Sequence, residues 1–276
     1  MISVVAPAFN EAETLPTFCS RVAAALDGEA FEIVVVNDGS TDGTDAVIAR
    51  IAEDDPRVRS LFVGSEANEI LDFGCGTGGL LGDLDRFGHG RAVDGEEQAV
   101  RFCEARRREG VRHVPVGEAL PFPEATFDIV TALDVLEHID NDAAALVDLR
   151  RVLRPGGLLP VTVPAFAFLW GDQDEISHHY RRYRAPDLAA RLAAAGLRLE
   201  HLSYFNTLLF SPIAVVRLLR RLARRPSAEK TDFDIGSARL NSALGRAFAA
   251  EAPLVTRWRI PFGVSLLALA RRPQST

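Results

Sequence analysis

The stretch that most constrains this chain is Glu69-Ile70-Leu71-Asp72-Phe73-Gly74-Cys75-Gly76-Thr77-Gly78-Gly79. Its short apolar run, Ile70, Leu71 and Phe73, fits a buried strand. The run ends where side chains vanish. Glycine accepts positive φ and lets a ligand press against the backbone. The segment therefore reads as strand, tight turn and helix, the helix starting near residue 80. A helix start aims its free amides and the positive end of its dipole at whatever occupies the turn.

The spacing of Gly74, Gly76 and Gly79 fits a dinucleotide fingerprint, with Asp94 at the distance expected of a ribose-binding acid. Asp72 argues against a dinucleotide. It stands two residues before the first glycine, where a carboxylate repels a pyrophosphate. It suits a cationic nucleoside without phosphate. S-adenosylmethionine carries a sulfonium, an ammonium, a carboxylate and a ribose. Asp72 near the ammonium and Asp94 on the ribose hydroxyls would satisfy it. A plain strand-to-helix turn that binds nothing has the same glycines and stands as the bland alternative.

Composition limits the other classes. The chain is 47% hydrophobic and 25% charged, enough to build a real core. A net charge of −7 gives no overall pull toward nucleic acid. The three cysteines, Cys19, Cys75 and Cys103, are widely spaced and form no CxxC, so neither a disulfide framework nor a zinc site is expected. A reducing cytoplasm fits them. Met1 runs straight into an apolar strand without a basic stretch, so no leader is expected. No apolar run reaches bilayer length.

From the N-terminus the pattern is strand (2–6, closed by Pro7), helix (10–26, with Leu15, Phe18, Val22 and Leu26 on one face), strand (31–36), helix (45–52) and strand (58–63). This βαβαβ order implies three parallel strands with right-handed crossovers. Val5-Ala6-Pro7-Ala8-Phe9-Asn10-Glu11-Ala12 and Val36-Asn37-Asp38-Gly39-Ser40-Thr41-Asp42-Gly43-Thr44 resemble the opening of a family 2 inverting glycosyltransferase. The resemblance covers residues 1–63. It implies that Glu11 and Asp38 contact the nucleoside of a sugar nucleotide. The family's metal-binding Asp-x-Asp and acceptor half do not follow in that context, so the segment reads as a truncated half-domain with a structural role, extending a sheet or covering its edge.

From residue 64 alternation resumes. Expected elements are a helix to residue 87, strand 91–93 ending at Asp94, helix 96–108, strand 113–116, strand 127–133, helix 142–153, a turn at 154–157 and strand 158–163. Ligands in open α/β sheets sit beyond the strand carboxyl ends. Asp72, Asp94, Glu118 and Asp134 all come from that edge. Leu71-Asp72-Phe73-Gly74-Cys75-Gly76-Thr77-Gly78, Ala119-Leu120-Pro121-Phe122-Pro123, Phe127-Asp128-Ile129-Val130, Leu136-Glu137-His138 and Leu153-Arg154-Pro155-Gly156-Gly157 are similar to the motifs of a class I S-adenosylmethionine-dependent methyltransferase. The resemblance implies a Rossmann-like α/β sheet of seven strands in order 3-2-1-4-5-7-6, the last antiparallel, with residues 199–205 and 264–270 as its final pair. It implies S-adenosyl-L-methionine as cofactor, held by Asp72, Gly74, Cys75, Gly76, Gly78, Asp94, Gly117, Glu118, Ala119, Leu133 and Asp134. Where relatives place an aspartate on the adenine amino group, this chain has Val116. Glu118, or apolar contacts and backbone amides, would take over that contact, whose loss costs about 0.5–1.5 kcal/mol.

Residues 64–276 would form the methyltransferase domain, with the acceptor or lid region over 165–250. Ala165-Phe166-Ala167-Phe168-Leu169-Trp170 is apolar and aromatic, and His178-His179-Tyr180 follow. His178 or His179 could act as a base near neutral pH, with Tyr180 beside them. His138 or Glu137, next to the expected methyl group, is the alternative. A lid packed by aromatics with solvated histidines accounts for the same residues, and a well-aligned methyl transfer needs no base. His178, His179, Asp172 and Asp174 match no metal spacing, so no metal is expected. Residues 207–225 combine an apolar helix with a basic end, a pattern of peripheral membrane contact at the inner membrane surface, which would make a lipid-linked acceptor sensible. A helix packed on the domain with its arginines outside has the same composition. The expected partner is a small-molecule, glycan or lipid-linked acceptor. The rivals are a sugar-nucleotide-binding, glycosyltransferase-related protein and a non-catalytic binding module.

Overall fold

The computed structural model describes residues 2–8, 10–38, 40, 42–63, 68–85, 87–108, 110–223, 251, 254–255 and 257–274. The joint at residue 64 and residues 224–250 of the expected acceptor or lid region lie outside them. The chain divides into two units, residues 1–70 with 79–90 and residues 71–78 with 91–276.

The N-terminal elements are β1 (Ile2–Ala8), α1 (Leu15–Ala25), β2 (Phe31–Asp38), α2 (Thr44–Asp54) and β3 (Val58–Val63). Their strands form a parallel sheet in order β1-β2-β3, with Ile2 opposite Phe31 and Ile33 opposite Val58. Pro7 does not close β1, which continues to Ala8 with Pro7 opposite Val36. A proline cannot donate to a ladder, and β1 lies at an edge of this sheet, where that donor is dispensable. Leu15, Cys19, Ile33, Val35 and Ile48 form the unit's core, with Val22 and Leu26 against it. Phe18, expected on the buried face of α1, is exposed, and Cys19 takes its place.

The remaining strands are β4 (Glu69–Phe73), β5 (His89–Asp94), β6 (Val111–His113), β7 (Phe127–Leu133), β8 (Leu153–Pro164), β9 (Arg198–Phe205) and β10 (Ser265–Arg271). They form one sheet in order β6-β5-β4-β7-β8-β10-β9. Counted from β4, this is the expected 3-2-1-4-5-7-6. β10 runs antiparallel to both β8 and β9, while β7 and β8 are parallel. Its helices are α3 (Leu81–Leu84), α4 (Glu97–Ala105), α5 (Asp142–Val152), α6 (Asp172–Ile176), α7 (Ala185–Ala194) and α8 (Thr207–Ala223). The core gathers Leu71, Val93, Phe127, Leu146, Leu159 and Leu266, all buried. Fully burying a side chain of this size contributes about 1.5–3 kcal/mol.

Three local expectations change. The helix after the glycine turn is one turn long and does not reach Phe87. Gly82 inside it lowers helix propensity, and so short a helix does not repay its nucleation. Its dipole is correspondingly weak. β6 covers Val111–His113, because Pro115 and the left-handed Gly117 (φ +92) stop it early. The turn expected at Arg154-Pro155-Gly156-Gly157 is an irregularity inside β8: Phe127 pairs with Leu153, and two residues on Ile129 pairs with Leu158. Gly156 (φ +84) carries the bend, and its amide donates to Arg272 O at 2.8 Å.

Candidate active site

Every residue expected to hold the cofactor or act on the acceptor lies in the second unit, and Glu11 and Asp38 lie in the first. At the end of β4, Asp72 is only 3% exposed and accepts from Thr131 Oγ1 of β7 at 2.7 Å. Burial pushes its carboxyl above the ordinary carboxylate range. The Thr131 bond opposes this, and the negative charge of Asp94 adds to it. A bound cation would hold Asp72 ionised.

The glycine turn is fixed by its own neighbours. Gly74 N and Cys75 N both donate to Val93 O, at 2.8 and 3.2 Å, and Gly78 N donates to Cys75 O at 3.0 Å. Gly76 N donates to Asp94 Oδ2 at 2.7 Å, and Glu96 N to Asp94 Oδ1 at 2.8 Å. Gly74 has φ +77, and a Cβ there would lie 2.3 Å from Val135 Cγ2, so only glycine fits. Gly76 has φ +53 and faces open space. Asp94 thus braces the turn, and each of its oxygens keeps a further lone pair. The thiols of Cys75 and Cys103 both face the Gly76 carbonyl, at 3.8 and 3.4 Å, and burial raises the Cys75 thiol. Cys75 is therefore an inert packing group.

Beyond β6, Gly117, Glu118 and Ala119 are exposed, and Glu118 N donates to Pro115 O at 3.1 Å. The exposed Val116 comes so close to Gly95 that a Cβ there would meet Val116 Cγ2 at 2.7 Å. The apolar contact expected in place of an aspartate therefore lies next to the residue that follows Asp94. At the end of β7, Leu133 is half-buried and Asp134 adopts a left-handed φ of +52, its amide donating to Thr162 O at 2.9 Å. Asp134 is open to solvent on one side and walled in elsewhere. That crowding raises its carboxyl, against the Thr162 side chain and the charge of His179.

A short 3-10 turn, Leu136–His138, follows. The rings of His138 and His179 meet edge to face with centroids 4.6 Å apart. His179 Nδ1 lies 2.9 Å from Asp174 Oδ1. Asp174, fully buried, also accepts from Arg182 Nε at 2.7 Å, Arg182 Nη2 at 3.0 Å, Arg217 Nη1 at 3.3 Å and Gly171 N at 2.8 Å. Burial alone would raise its carboxyl; His179 and Arg182 outweigh burial and hold it well below the ordinary range. Burial, then His179, lowers His138 from its ordinary value, leaving the ring neutral near pH 7. Glu137 is 1% exposed and pushed up to about 8 by burial and by Asp134.

The structure separates the adjacent histidines. His179 turns inward to His138, while His178 is exposed at φ +54. Tyr180 is 58% exposed, its amide donating to Glu137 O at 2.7 Å. Tyr183, by contrast, is buried, and its hydroxyl donates to Asp142 Oδ2 at 2.7 Å. Arg217, expected in the basic end of α8, is 8% exposed and paired with Asp174. No described helix is long and apolar enough to cross a membrane. Phe166 stacks on Tyr204 (4.8 Å) and contacts Phe168 and Phe210, and Phe210 reaches Phe262 at 5.7 Å. The sequence reading missed one grouping: potential ligand atoms of Glu137, His138 and His179 lie within 4.8 Å of one another. Of the four residues weighed for a metal from sequence, only His179 takes part.

In the first unit the expected nucleotide-contacting Glu11 is exposed, and its carboxylate accepts from Thr14 Oγ1. The side chain of Asp38 lies outside the described ones.

Comparison with known proteins agrees with this geometry. Residues 71–161 match a family model described as a methyltransferase domain, and residues 3–64 match glycosyl transferase family 2. A Mycolicibacterium smegmatis protein named a probable S-adenosylmethionine-dependent methyltransferase is 34% identical over 138 residues, 48% of this chain and 52% of that protein. A ubiquinone biosynthesis O-methyltransferase of Methylocella silvestris is 35% identical over 162 residues, 51% of this chain and 62% of that protein. The chain spans about half the length of the curated relatives it matches. A chain from the Haloferax volcanii complex of the Trm112 methyltransferase activator with a methyltransferase shares the fold at 18% identity and a TM-score of 0.51, covering 78% of this chain and 85% of that one. The second unit thus carries a region, residues 71–161, that matches a methyltransferase domain and is similar to proteins named S-adenosylmethionine-dependent methyltransferases. The particular chain joins that region to a segment similar to glycosyl transferase family 2.

Proposed function

We propose that this chain is an S-adenosylmethionine-dependent methyltransferase that methylates an oxygen of a largely apolar small-molecule acceptor. One observation carries the cofactor reading. The amides of Gly74, Cys75, Gly76 and Gly78 all donate inside the protein. These four amides are thereby withdrawn from a pyrophosphate, while Asp72 and Asp94 remain as acceptors. In this reading Asp72 takes the ammonium, Asp94 the ribose hydroxyls, Val116 and Gly117–Ala119 border the adenine, and Leu133 and Asp134 border the methionine portion.

Oxygen as the acceptor atom is supported by the paired imidazoles. His179, aligned by Asp174, and the neutral His138 are suited to receive a hydroxyl proton. The relative named as an O-methyltransferase adds support by similarity. The aromatic group around Phe166 would hold an apolar acceptor. His178 and Tyr180, both exposed, have a rim position in this reading rather than a proton-transfer role. Glycan and lipid-linked acceptors belong to the same proposal, and so does peripheral membrane contact through the basic end of α8. Arg217 is unavailable for that contact, being buried on Asp174.

A second reading, sugar-nucleotide binding by residues 1–63 as a unit separate from 64–276, is favoured by the match of residues 3–64 to a glycosyltransferase family. Calorimetry separates the two. S-adenosylmethionine is expected to bind with a micromolar Kd and uridine or guanosine diphosphate sugars not at all. Binding of the sugar nucleotides alone would overturn the methyltransferase reading.

A further inference from the structure

Glu137, His138 and His179 come from two segments far apart in the sequence, yet each offers one ligating atom and all three atoms lie within 4.8 Å. Both imidazoles are oriented from behind. His179 presents Nδ1 to Asp174 Oδ1 at 2.9 Å, which leaves Nε2 for the cluster. Asp174 is itself fixed by Arg182 and the Gly171 amide. The His138 ring interacts with the Ser177 backbone carbonyl. Metal-ligating histidines characteristically carry such outer partners, which set the tautomer and hold the ring.

Glu137 supplies an independent observation. Its side chain is 1% exposed, and Oε2 has no hydrogen-bond partner among the described residues. A buried polar oxygen is rarely left without a partner, because its desolvation is then uncompensated. Here that oxygen belongs to the carboxylate grouped with the two ring nitrogens.

We propose that Glu137, His138 and His179 bind a divalent first-row cation of the class that two imidazoles and one carboxylate prefer, Zn2+, Fe2+ or Mn2+. Three protein ligands leave a position open in a tetrahedral or larger shell. Ligand atoms about 2.1 Å from a tetrahedral ion lie about 3.4 Å apart, inside the 4.8 Å that bounds the three groups here. Resting on the O-methylation reading, the open position would take the acceptor oxygen; the cation would lower the pKa of that hydroxyl so that its proton passes to solvent water rather than to a ring nitrogen, and the oxygen would form its bond to the methyl carbon as the carbon–sulfur bond of the sulfonium breaks to leave a neutral thioether. The metal site itself does not depend on that reading.

The test uses the full chain stripped with a chelator and titrated calorimetrically with Zn2+ and with Mn2+, and Co2+ loading followed by its visible absorption. One equivalent is expected with a Kd of micromolar or tighter. Glu137→Gln and His179→Ala are each expected to weaken binding at least tenfold. Asp174→Asn, which touches only the outer partner, should weaken it tenfold or more. His178→Ala should leave it unchanged. S-adenosylmethionine binding and circular dichroism are measured on every variant, so a misfolded variant is recognised and Glu137→Gln, the least disruptive, decides. Absence of stoichiometric binding, or equal binding by wild type and Glu137→Gln, overturns the metal site. Retained S-adenosylmethionine binding in that case leaves the methyltransferase reading standing.

Discussion

The loops after β1 and β2 and the loop after β4 occupy the same kind of place, the carboxyl ends of sheet strands, yet they use their polar groups in opposite ways. In the N-terminal unit, side chains hold the loops together. Asn10 N donates to Ser40 Oγ at 2.9 Å, Glu11 N to Thr44 Oγ1 at 2.9 Å and Ala12 N to Asp42 Oδ2 at 3.1 Å. The described side-chain acceptors there are engaged with the protein itself. After β4 the backbone shares that work, through the two bonds to Val93 O beside the two that Asp94 accepts, and the buried Asp72 and half-buried Asp94 keep unused lone pairs. The lesson is that a strand edge becomes a ligand site when its structural hydrogen bonds run through the main chain and its charged side chains remain partly unsatisfied.

The contrast is broken most severely at Asp174. Removing it as Asp174→Ala strands Arg182, and leaves Arg217 and His179 without that partner. Loss of one member of a buried ion-paired group costs about 3–5 kcal/mol, readable as a drop in the urea midpoint. Because its folded carboxyl is held low, this stabilisation is full above the ordinary carboxylate range and is lost as pH falls toward the lowered value.

Glu137 has the opposite sign. Its folded value of about 8 lies above the ordinary 4.5. Wild-type stability should therefore fall as pH rises between those values, because the unfolded chain releases a proton that the folded chain keeps. Glu137→Gln should flatten that slope, gaining on the order of a few kcal/mol relative to wild type at pH 8 compared with pH 5. Urea titrations of metal-free protein at the two pH values check it, and parallel curves for the two proteins would show that the site is not desolvated.

A third effect concerns ligand binding. Asp72→Asn keeps the shape and a bond with Thr131 but removes the charge. It should weaken S-adenosylmethionine by about 10- to 100-fold, the range of a charge-assisted hydrogen bond of about 1.5–3 kcal/mol, with the melting temperature nearly unchanged. Unaltered affinity would remove Asp72 from the ammonium site. The smallest effect is expected at Asp42, which bonds the Thr44 amide and hydroxyl in the exposed N-terminal turn. Asp42→Ala, which also gives up the Ala12 amide, should lower the melting temperature by a few degrees and leave S-adenosylmethionine affinity unchanged.

Much of this was legible because its causes are local. Alternating apolar runs and glycine turns gave five of the seven strands, and the final pair and the order 3-2-1-4-5-7-6 follow from recognised motifs. Boundaries slipped where a local rule met a tertiary one. Pro7 sits harmlessly on an edge strand, and the residues after Gly79 support only one turn of helix. The histidine site was half legible. The sequence marks His178 and His179 alike, and nothing local says that one faces Asp174 while the other takes a left-handed φ outside. The meeting of His179 with Glu137 and His138 depends on a long loop closing over the end of β7, which no spacing rule records. Arg217 misled for a related reason. A basic helix end reads as surface until a buried carboxylate such as Asp174 claims one of its members.

The self-contained glycine turn also bears on turnover. In the proposed reading, when a methyl group departs the sulfonium becomes a neutral thioether, but the ammonium and ribose assigned to Asp72 and Asp94 do not change. The demethylated product would therefore leave slowly and compete with fresh cofactor, so that the ratio of the two in the cell, more than the supply of acceptor, would govern the rate.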